Sequence, residues 1–265
     1  MKRLNITIIT VFLLWAGVAY AGSTGSEKLK VSTSSSANEC FEGVSRAMFS
    51  FNQALDTTIF EPIAKGYRVL PMVIRNGSSN MMGNISNLLT IPNNILQGDF
   101  AGAGNTVARL TINTTVGILG FFDPAEKMGF PKNGKEDYGQ TLGVWGAGSG
   151  CYFVLPVLGP TTVRDFVGTV ANIWGDPWYS MTVSNNPMMA DGMFKDSDYY
   201  ITKGTDAVDF RAKNIESFNS LEKNSIDLYA SIKSLYLQNR NKKISNSDTI
   251  TETQDESDWE EIDTN

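Results

Sequence analysis

Histidine is absent from all 265 residues. With it go the Ser-His-Asp and Cys-His arrangements, His-ligated metals and the ordinary general base near neutral pH. The two cysteines, Cys40 and Cys151, are too few for a structural zinc site. Gly146-Ala147-Gly148-Ser149-Gly150-Cys151 opens like a dinucleotide loop but lacks the last glycine, and it runs into Tyr152-Phe153-Val154-Leu155-Pro156 rather than into a helix. Gly102-Ala103-Gly104 fails in the same way, and Gly134-Lys135-Glu136 lacks the Ser or Thr of a phosphate-binding loop. Asp123 and Asp165 stand beside Pro124 and Arg164, so capping of backbone N–H groups is their expected role rather than paired-carboxylate catalysis. An acyl hydrolase using Ser with Lys or Asp would lack the nucleophile elbow. These residues predict no catalytic group, no metal and no cofactor.

Hydrophobic residues make up 42% of the chain, enough for a sizeable core in one large domain or two small ones. The formal charge of -6 misleads until it is located. Asp248, Glu252, Asp255, Glu256, Asp258, Glu260, Glu261 and Asp263 crowd the end of the chain with no Lys or Arg among them, and residues 22–247 balance at zero. That body has no electrostatic footprint for nucleic acid.

The elements that position these residues follow in order. Met1-Lys2-Arg3, the apolar run Ile8–Val18 and Ala19-Tyr20-Ala21 predict a secretory signal over residues 1–21. An uncleaved anchor is the alternative, since Leu4–Ala21 nearly reaches membrane-spanning length. Residues 22–39 read as a flexible linker, 40–243 as one helical domain and 244–265 as a disordered acidic tail, with docking to a basic partner as the tail's other reading.

Val44, Ala47, Met48, Phe51 and Leu55 recur at helical spacing and predict a core-facing stripe. Pro62 and Pro71 punctuate short helices. Residues 72–89 carry so many Asn, Gly and Ser that only close packing would keep them helical. Pro92 is expected to restart a short helix that Gly98 stops. Asp99 caps a segment running to about Leu119, which ends at the pair Phe121-Phe122.

Gly143, Gly146, Gly148 and Gly150 predict a tight reversal in an apolar setting. Gly159 should close one element and Pro160 open a helix. Asp176-Pro177-Trp178 reads as another helix start, Asn186-Pro187-Met188-Met189 as a turn. Residues 205–240 read as two helices, one marked by Ile215, Phe218 and Leu221, the other by Leu228, Ile232 and Leu235. Lys233, Arg240, Lys242 and Lys243 suit a helix C-terminus as a solvated end, with anionic headgroups as the second reading. In an oxidising compartment Cys40 and Cys151 are candidates for a disulfide; the sequence leaves pairing and free thiols both open.

Several blocks taken together resemble the MlaA (VacJ) family. They are Phe41-Glu42-Gly43-Val44-Ser45-Arg46-Ala47-Met48-Phe49-Ser50-Phe51-Asn52, Leu96-Gln97-Gly98-Asp99, Gly120-Phe121-Phe122-Asp123, Tyr138-Gly139-Gln140-Thr141-Leu142-Gly143, and Leu155-Pro156 through Arg164-Asp165. The resemblance covers roughly residues 40 to 240 and implies an all-α, ring-shaped amphipathic domain with a short Gly-rich hairpin and disordered termini. It implies residence at the periplasmic side of a Gram-negative outer membrane. There the family passes mislocalised phospholipid from the outer leaflet through a channel to a periplasmic lipid carrier, beside a porin trimer.

On that reading Gly143, Gly146, Gly148, Gly150, Tyr152, Phe153 and Leu155 form a mobile hairpin and channel lining, with a rigid core turn as the alternative. Phe121, Phe122, Trp145, Trp174 and Trp178 then sit at the membrane interface, although the same aromatics also suit a core. One departure stands out. The family's signal ends at an acylated Cys, but Ala37-Asn38-Glu39 before Cys40 is no lipobox, so membrane residence would come from amphipathic helices of the folded body. The rival from another class is a soluble periplasmic or surface interaction protein with an ordinary helical core.

Overall fold

A computed structural model describes residues 39–183 and 195–245. The expected signal, the linker up to residue 38, the Met-rich turn and the tail from residue 246 lie outside the described residues. Those described form helices α1 to α11 and one two-stranded antiparallel sheet, in agreement with an all-α class.

Helix α1 (Glu42–Leu55) passes through a π-helical turn, Asp56–Phe60, into α2 (Glu61–Arg68) without a break. Pro62 therefore lies inside one continuous helical stretch, directly after its π-helical turn, and does not punctuate it as expected. Pro71, by contrast, does interrupt the chain and stands at the N-cap of α3 (Met72–Gln97). The expected restart at Pro92 is not found: α3 is one helix of 26 residues with Pro92 inside it. Tertiary hydrogen bonds flank the lost backbone bond, with Asn93 accepting from Thr141 Oγ1 at 2.7 Å and Asn94 donating to Thr106 Oγ1 at 3.4 Å. Gly98 ends α3 with φ 81, and Asp99 caps α4 (Phe100–Thr115) by accepting from the Gly102 N–H.

Helix α4 stops at Thr115 and not near Leu119, because Ile118 and Leu119 turn left-handed, with φ 54 and 57, into Gly120. The turn is closed by Gly120 N–H to Asn113 O at 2.7 Å and Phe122 N–H to Gly117 O at 2.8 Å. The small residues of α3 now have a reason: a Cβ at Gly77 would lie 2.2 Å from the Phe121 ring. The short α5 (Pro124–Lys127) is capped by Asp123 and α6 (Tyr138–Val144) by Asp137.

Strands β1 (Tyr152–Leu155) and β2 (Gly159–Thr162) pair from Tyr152↔Thr162 to Leu155↔Gly159. Three expectations change here. The glycines at 146, 148 and 150 precede the sheet, whose tight turn is residues 156–158. Gly159-Pro160 belong to β2, and α7 (Val163–Gly175) starts after Thr162, whose hydroxyl accepts from the Asp165 N–H. Helix α8 (Pro177–Thr182) begins at Asp176 as expected. Residues 205–240 fall in three helices, α9 (Asp196–Lys213), α10 (Ile215–Asn224) and α11 (Leu228–Ile244).

Cys40 and Cys151 form a disulfide, with Cα atoms 5.6 Å apart. Beside it Glu39 bridges to Tyr152 as a parallel partner, accepts a hydrogen bond from the Tyr229 hydroxyl and pairs with Lys233 at 2.5 Å. The chain is thus fastened to β1 ahead of α1, one residue inside the expected linker.

Helices α6 and α7 approach backbone to backbone: a Cβ at Gly168 would stand 2.3 Å from the Gly139 nitrogen. Backbone cannot yield as a side chain can, so Gly168→Ala should lower stability by about 1–3 kcal/mol, read by thermal or denaturant unfolding. An unchanged midpoint would show that the two helices separate freely.

Candidate functional site

The interior made by these elements is polar. Among the described residues nineteen buried polar or charged residues stand against nine buried apolar ones, so apolar burial cannot be what organises this interior. The two apolar clusters are small, one built on Tyr152, Val154 and Tyr229, the other on Ala64, Ala212 and Ile215. The stripe on α1 is corrected accordingly. Val44 is 62% and Phe51 50% exposed, while Ser45 is buried, because helical spacing marks two faces without saying which one meets solvent.

The close approach of α6 and α7 has an electrostatic result. It brings Asp137, at the N-cap of α6, and Asp165, in the first turn of α7, to one guanidinium from α11. Arg240 donates to both oxygens of Asp137 at 2.7 and 3.0 Å and to Asp165 at 2.8 Å. Tyr236 O–H donates to Asp165 at 2.6 Å, and Arg164 Nε does so at 3.1 Å. A Cβ at Gly139 would lie 2.7 Å from Arg240, so the glycine also leaves room for the cluster.

Burial alone would raise the Asp137 carboxyl, but the Arg240 bonds and charge outweigh it and hold it at about 2. Asp165 is likewise held low against burial by Arg240, Tyr236 and Arg164. Burial pushes Tyr236 up, aided by the Asp165 charge. Two expectations therefore give way. Asp165 caps nothing with its side chain among the described residues, and Arg240 is neither a solvated helix end nor a headgroup contact but the centre of a largely buried ion cluster.

Next to it, Glu136 accepts from Gln97 Nε2 at 2.9 Å, while its N–H donates to Thr90. Burial pushes this carboxyl up to about 7; Gln97 opposes the shift, the Asp137 charge adds to it, and Lys243 and Arg240 oppose it. A carboxyl raised in the folded state contributes stability that is complete below its ordinary 4.5 and is lost as pH rises through about 7. No histidine titrates in that window. The midpoint of unfolding should thus fall between about pH 5 and pH 8, and Glu136→Gln should flatten that slope; the same slope in the variant would sink the assignment.

A second buried pair lies between α4 and α5. Arg109 and Asp123 meet at 2.6 Å, and Asn113 donates to Asp123 at 2.9 Å. Asp123 is thus both helix cap and counter-ion, whereas its sequence context pointed to capping alone.

The large apolar side chains lie outside. Phe100 is 71%, Trp145 60%, Trp174 72% and Phe122 51% exposed, and Val116, Ile118 and Leu119 are exposed with them. Phe121 and Trp178 are half-buried, Phe121 stacked edge-on against Phe122. No helix of the described residues is long and apolar enough to cross a membrane. Of the expected lining, Tyr152 is fully buried among Tyr229 and Tyr236, so it faces no open space. Phe153 stacks on Phe166 and Gly143 packs against Ile244, while Gly146, Gly148 and Gly150 are exposed. Leu155 borders a cavity of about 230 Å³ whose wall also holds Asp137, Asp165, Tyr236 and Arg240.

Sequence reasoning missed Asp137, Glu136, Arg109 and Asn52. Asn52 clasps the hairpin turn, donating to Leu155 O at 2.8 Å and accepting from Val157 N–H at 2.7 Å. These partners are far apart in sequence, and nothing local marks them.

Known proteins agree with this architecture. The family model described as MlaA lipoprotein matches residues 37–243. An uncharacterised protein of Rickettsia bellii is 35% identical over 76% of this chain and 74% of its own. The Haemophilus influenzae intermembrane phospholipid transport system lipoprotein MlaA is 28% identical over 90% of each chain. A solved structure bearing on maintenance of bacterial outer membrane lipid asymmetry superposes with a TM-score of 0.65 at 28% identity, covering 78% of this chain and 99% of that one. With the matched family model spanning most of its length, the chain belongs to the MlaA lipoprotein family.

Proposed function

We propose that this chain is a non-enzymatic phospholipid conduit at the periplasmic side of a Gram-negative outer membrane, removing mislocalised phospholipid from the outer leaflet and thereby maintaining lipid asymmetry. The observation that carries this reading is the reversal of the usual burial order, with charged and amide groups inside and large apolar side chains outside. Exposed apolar faces on helices too short or too polar to cross a bilayer suit residence within one leaflet. A polar interior lets headgroups be solvated by fixed protein groups while the tails keep to apolar surface, at about 0.8 kcal/mol for each CH2 kept from water. The channel of a ring-shaped domain would meet both needs, and no bond is made or broken.

The relatives named for intermembrane phospholipid transport support the substrate class. A porin trimer and a soluble periplasmic lipid carrier are the partners such a conduit needs on either side. The glycines before β1, with Phe153 and Leu155, are proposed as the pliant part of this path, and Trp145, Trp174 and Phe122 as interface contacts. The exposed apolar faces weigh against the soluble rival with an ordinary core.

Detergent-free fractionation of cells, followed by lipid analysis of the purified chain, tests the reading. The chain is expected with membranes, carrying phospholipid, and cells without it should accumulate phospholipid in the outer leaflet. Recovery in the aqueous phase without lipid, together with an unchanged outer leaflet, would overturn it.

A further inference from the structure

A second cavity, of about 210 Å³, opens between α1, the hairpin turn, α10 and α11. Its wall is mostly hydrocarbon, from Phe49, Phe60, Val157, Phe218, Leu228 and Ile232. The cavity is open on one side, and Asn52, Gln53, Asp56, Thr57, Arg211 and Glu222 give it a polar edge.

Two further features meet at the same wall. Arg211, 8% exposed, binds Asp56 side-on through Nε and Nη2 at 2.8 and 2.7 Å, and its third nitrogen, Nη1, is buried with no hydrogen-bond partner among the described residues. Side-on pairing turns that remaining edge of the planar fork away from Asp56. The guanidinium carbon packs at 5.0 Å from the Phe218 ring centre. Val157, a β-branched residue, holds a left-handed φ of 67, kept there by the Asn52 clasp and by the Leu158 N–H bond to Pro156 O across the turn. Unpaired buried donors and strained residues that meet at one cavity are the marks of a ligand clamp.

From these three features we infer that the cavity takes the head-proximal part of one acyl chain, and that the oxyanion of the same lipid is received by Arg211 Nη1 when the Phe218 ring moves aside. Of the carboxylates around the guanidinium, Asp56 is spent on Arg211, Glu61 lies 3.6 Å from Nη2 and is paired with Lys65, and Glu222 is exposed and held by Gln53. The volume admits part of a single chain, not a whole two-tailed lipid. The choice of an acyl chain rests on the transport reading. The oxyanion itself is shared by a phospholipid's phosphodiester and a free fatty acid's carboxylate.

Photo-crosslinking with the full chain in membranes tests the site. Three probes carry the same diazirine-labelled tail: a fatty acid, a phosphatidylethanolamine and an uncharged alkyl glucoside. The oxyanion probes should mark Phe49, Phe218, Leu228 or Ile232, and the labelling should drop about tenfold in Ile232→Trp, which fills the cavity but leaves the Arg211 pair intact. In Arg211→Gln they should lose their advantage over the glucoside. Labelling by the phospholipid alone assigns the oxyanion to a phosphodiester, and by the fatty acid alone to a carboxylate. Equal labelling by the glucoside, or labelling that Ile232→Trp leaves unchanged, overturns the inference. The two readings fail separately: phospholipid export without cavity labelling removes this site alone, and a labelled cavity without export removes the conduit alone.

Discussion

Replacing Arg240 by methionine should cost at most about 3–5 kcal/mol, the figure for a fully buried pair, since it leaves the buried Asp165 and the half-buried Asp137 without the cation that joins them. Asp137 would lose both of its charge-assisted bonds and keep only Gln140, while Asp165 would retain Arg164 and Tyr236. Adding Asp137→Asn to Arg240→Met should recover much of the loss, because the amide carries no charge to strand.

The pH dependence gives a second reading of the same cluster. Asp137 is depressed to about 2 in the folded chain, so its contribution is complete above the ordinary 3.8 and fades as pH falls through about 2. Without Arg240 the carboxyl is no longer held down, and the gap between variant and parent should narrow as the medium is acidified. Denaturant unfolding at several pH values measures this. A loss under about 1 kcal/mol, the range of an exposed pair, would mean that water reaches the cluster.

Removing the disulfide should have an effect of similar size. Cys40 and Cys151 are 111 residues apart, and opening a loop of that length frees the unfolded chain by an amount that typically weakens a fold by about 2–5 kcal/mol. Cys40→Ser with Cys151→Ser should show it without leaving a reactive thiol, and dithiothreitol should lower the midpoint of the parent to the same level. The Glu39 contacts with Tyr229 and Lys233 should loosen with it, since they lie beside the bridge. Thiol labelling of the denatured, unreduced chain should find none free; two free thiols would refute the bridge.

Much of the fold was legible because it depended on local signals. Asp99, Asp123 and Asp176 cap helices where a short acceptor precedes a helical run, and Gly98 stops α3 by taking a left-handed φ. Pro92 misled because a proline's local cost was outweighed by side chains from elsewhere, chiefly Thr141 and Thr106, that fasten its neighbours. The glycines before β1 drew attention as a hairpin tip, yet the turn itself is Pro156-Val157-Leu158, where Val157 gives no glycine signal at all. The ion cluster was illegible for a different reason. Asp137 and Arg240 are 103 residues apart, and only the touching backbones of Gly139 and Gly168 put both carboxylates within one guanidinium's reach.

The side on which the oily stripe of α1 would lie was likewise unreadable. Periodicity defines an amphipathic helix but is silent about which solvent waits on either side.

The reversed distribution of side chains also reaches into calorimetry. The change in heat capacity on melting grows with apolar area newly wetted and shrinks with polar area newly wetted. Here most of the fully buried side chains among the described residues carry amides, hydroxyls or ions. The heat-capacity increment should therefore fall below the roughly 12–15 cal/mol/K per residue usual for water-soluble domains, and the curve of free energy against temperature should be broad and shallow.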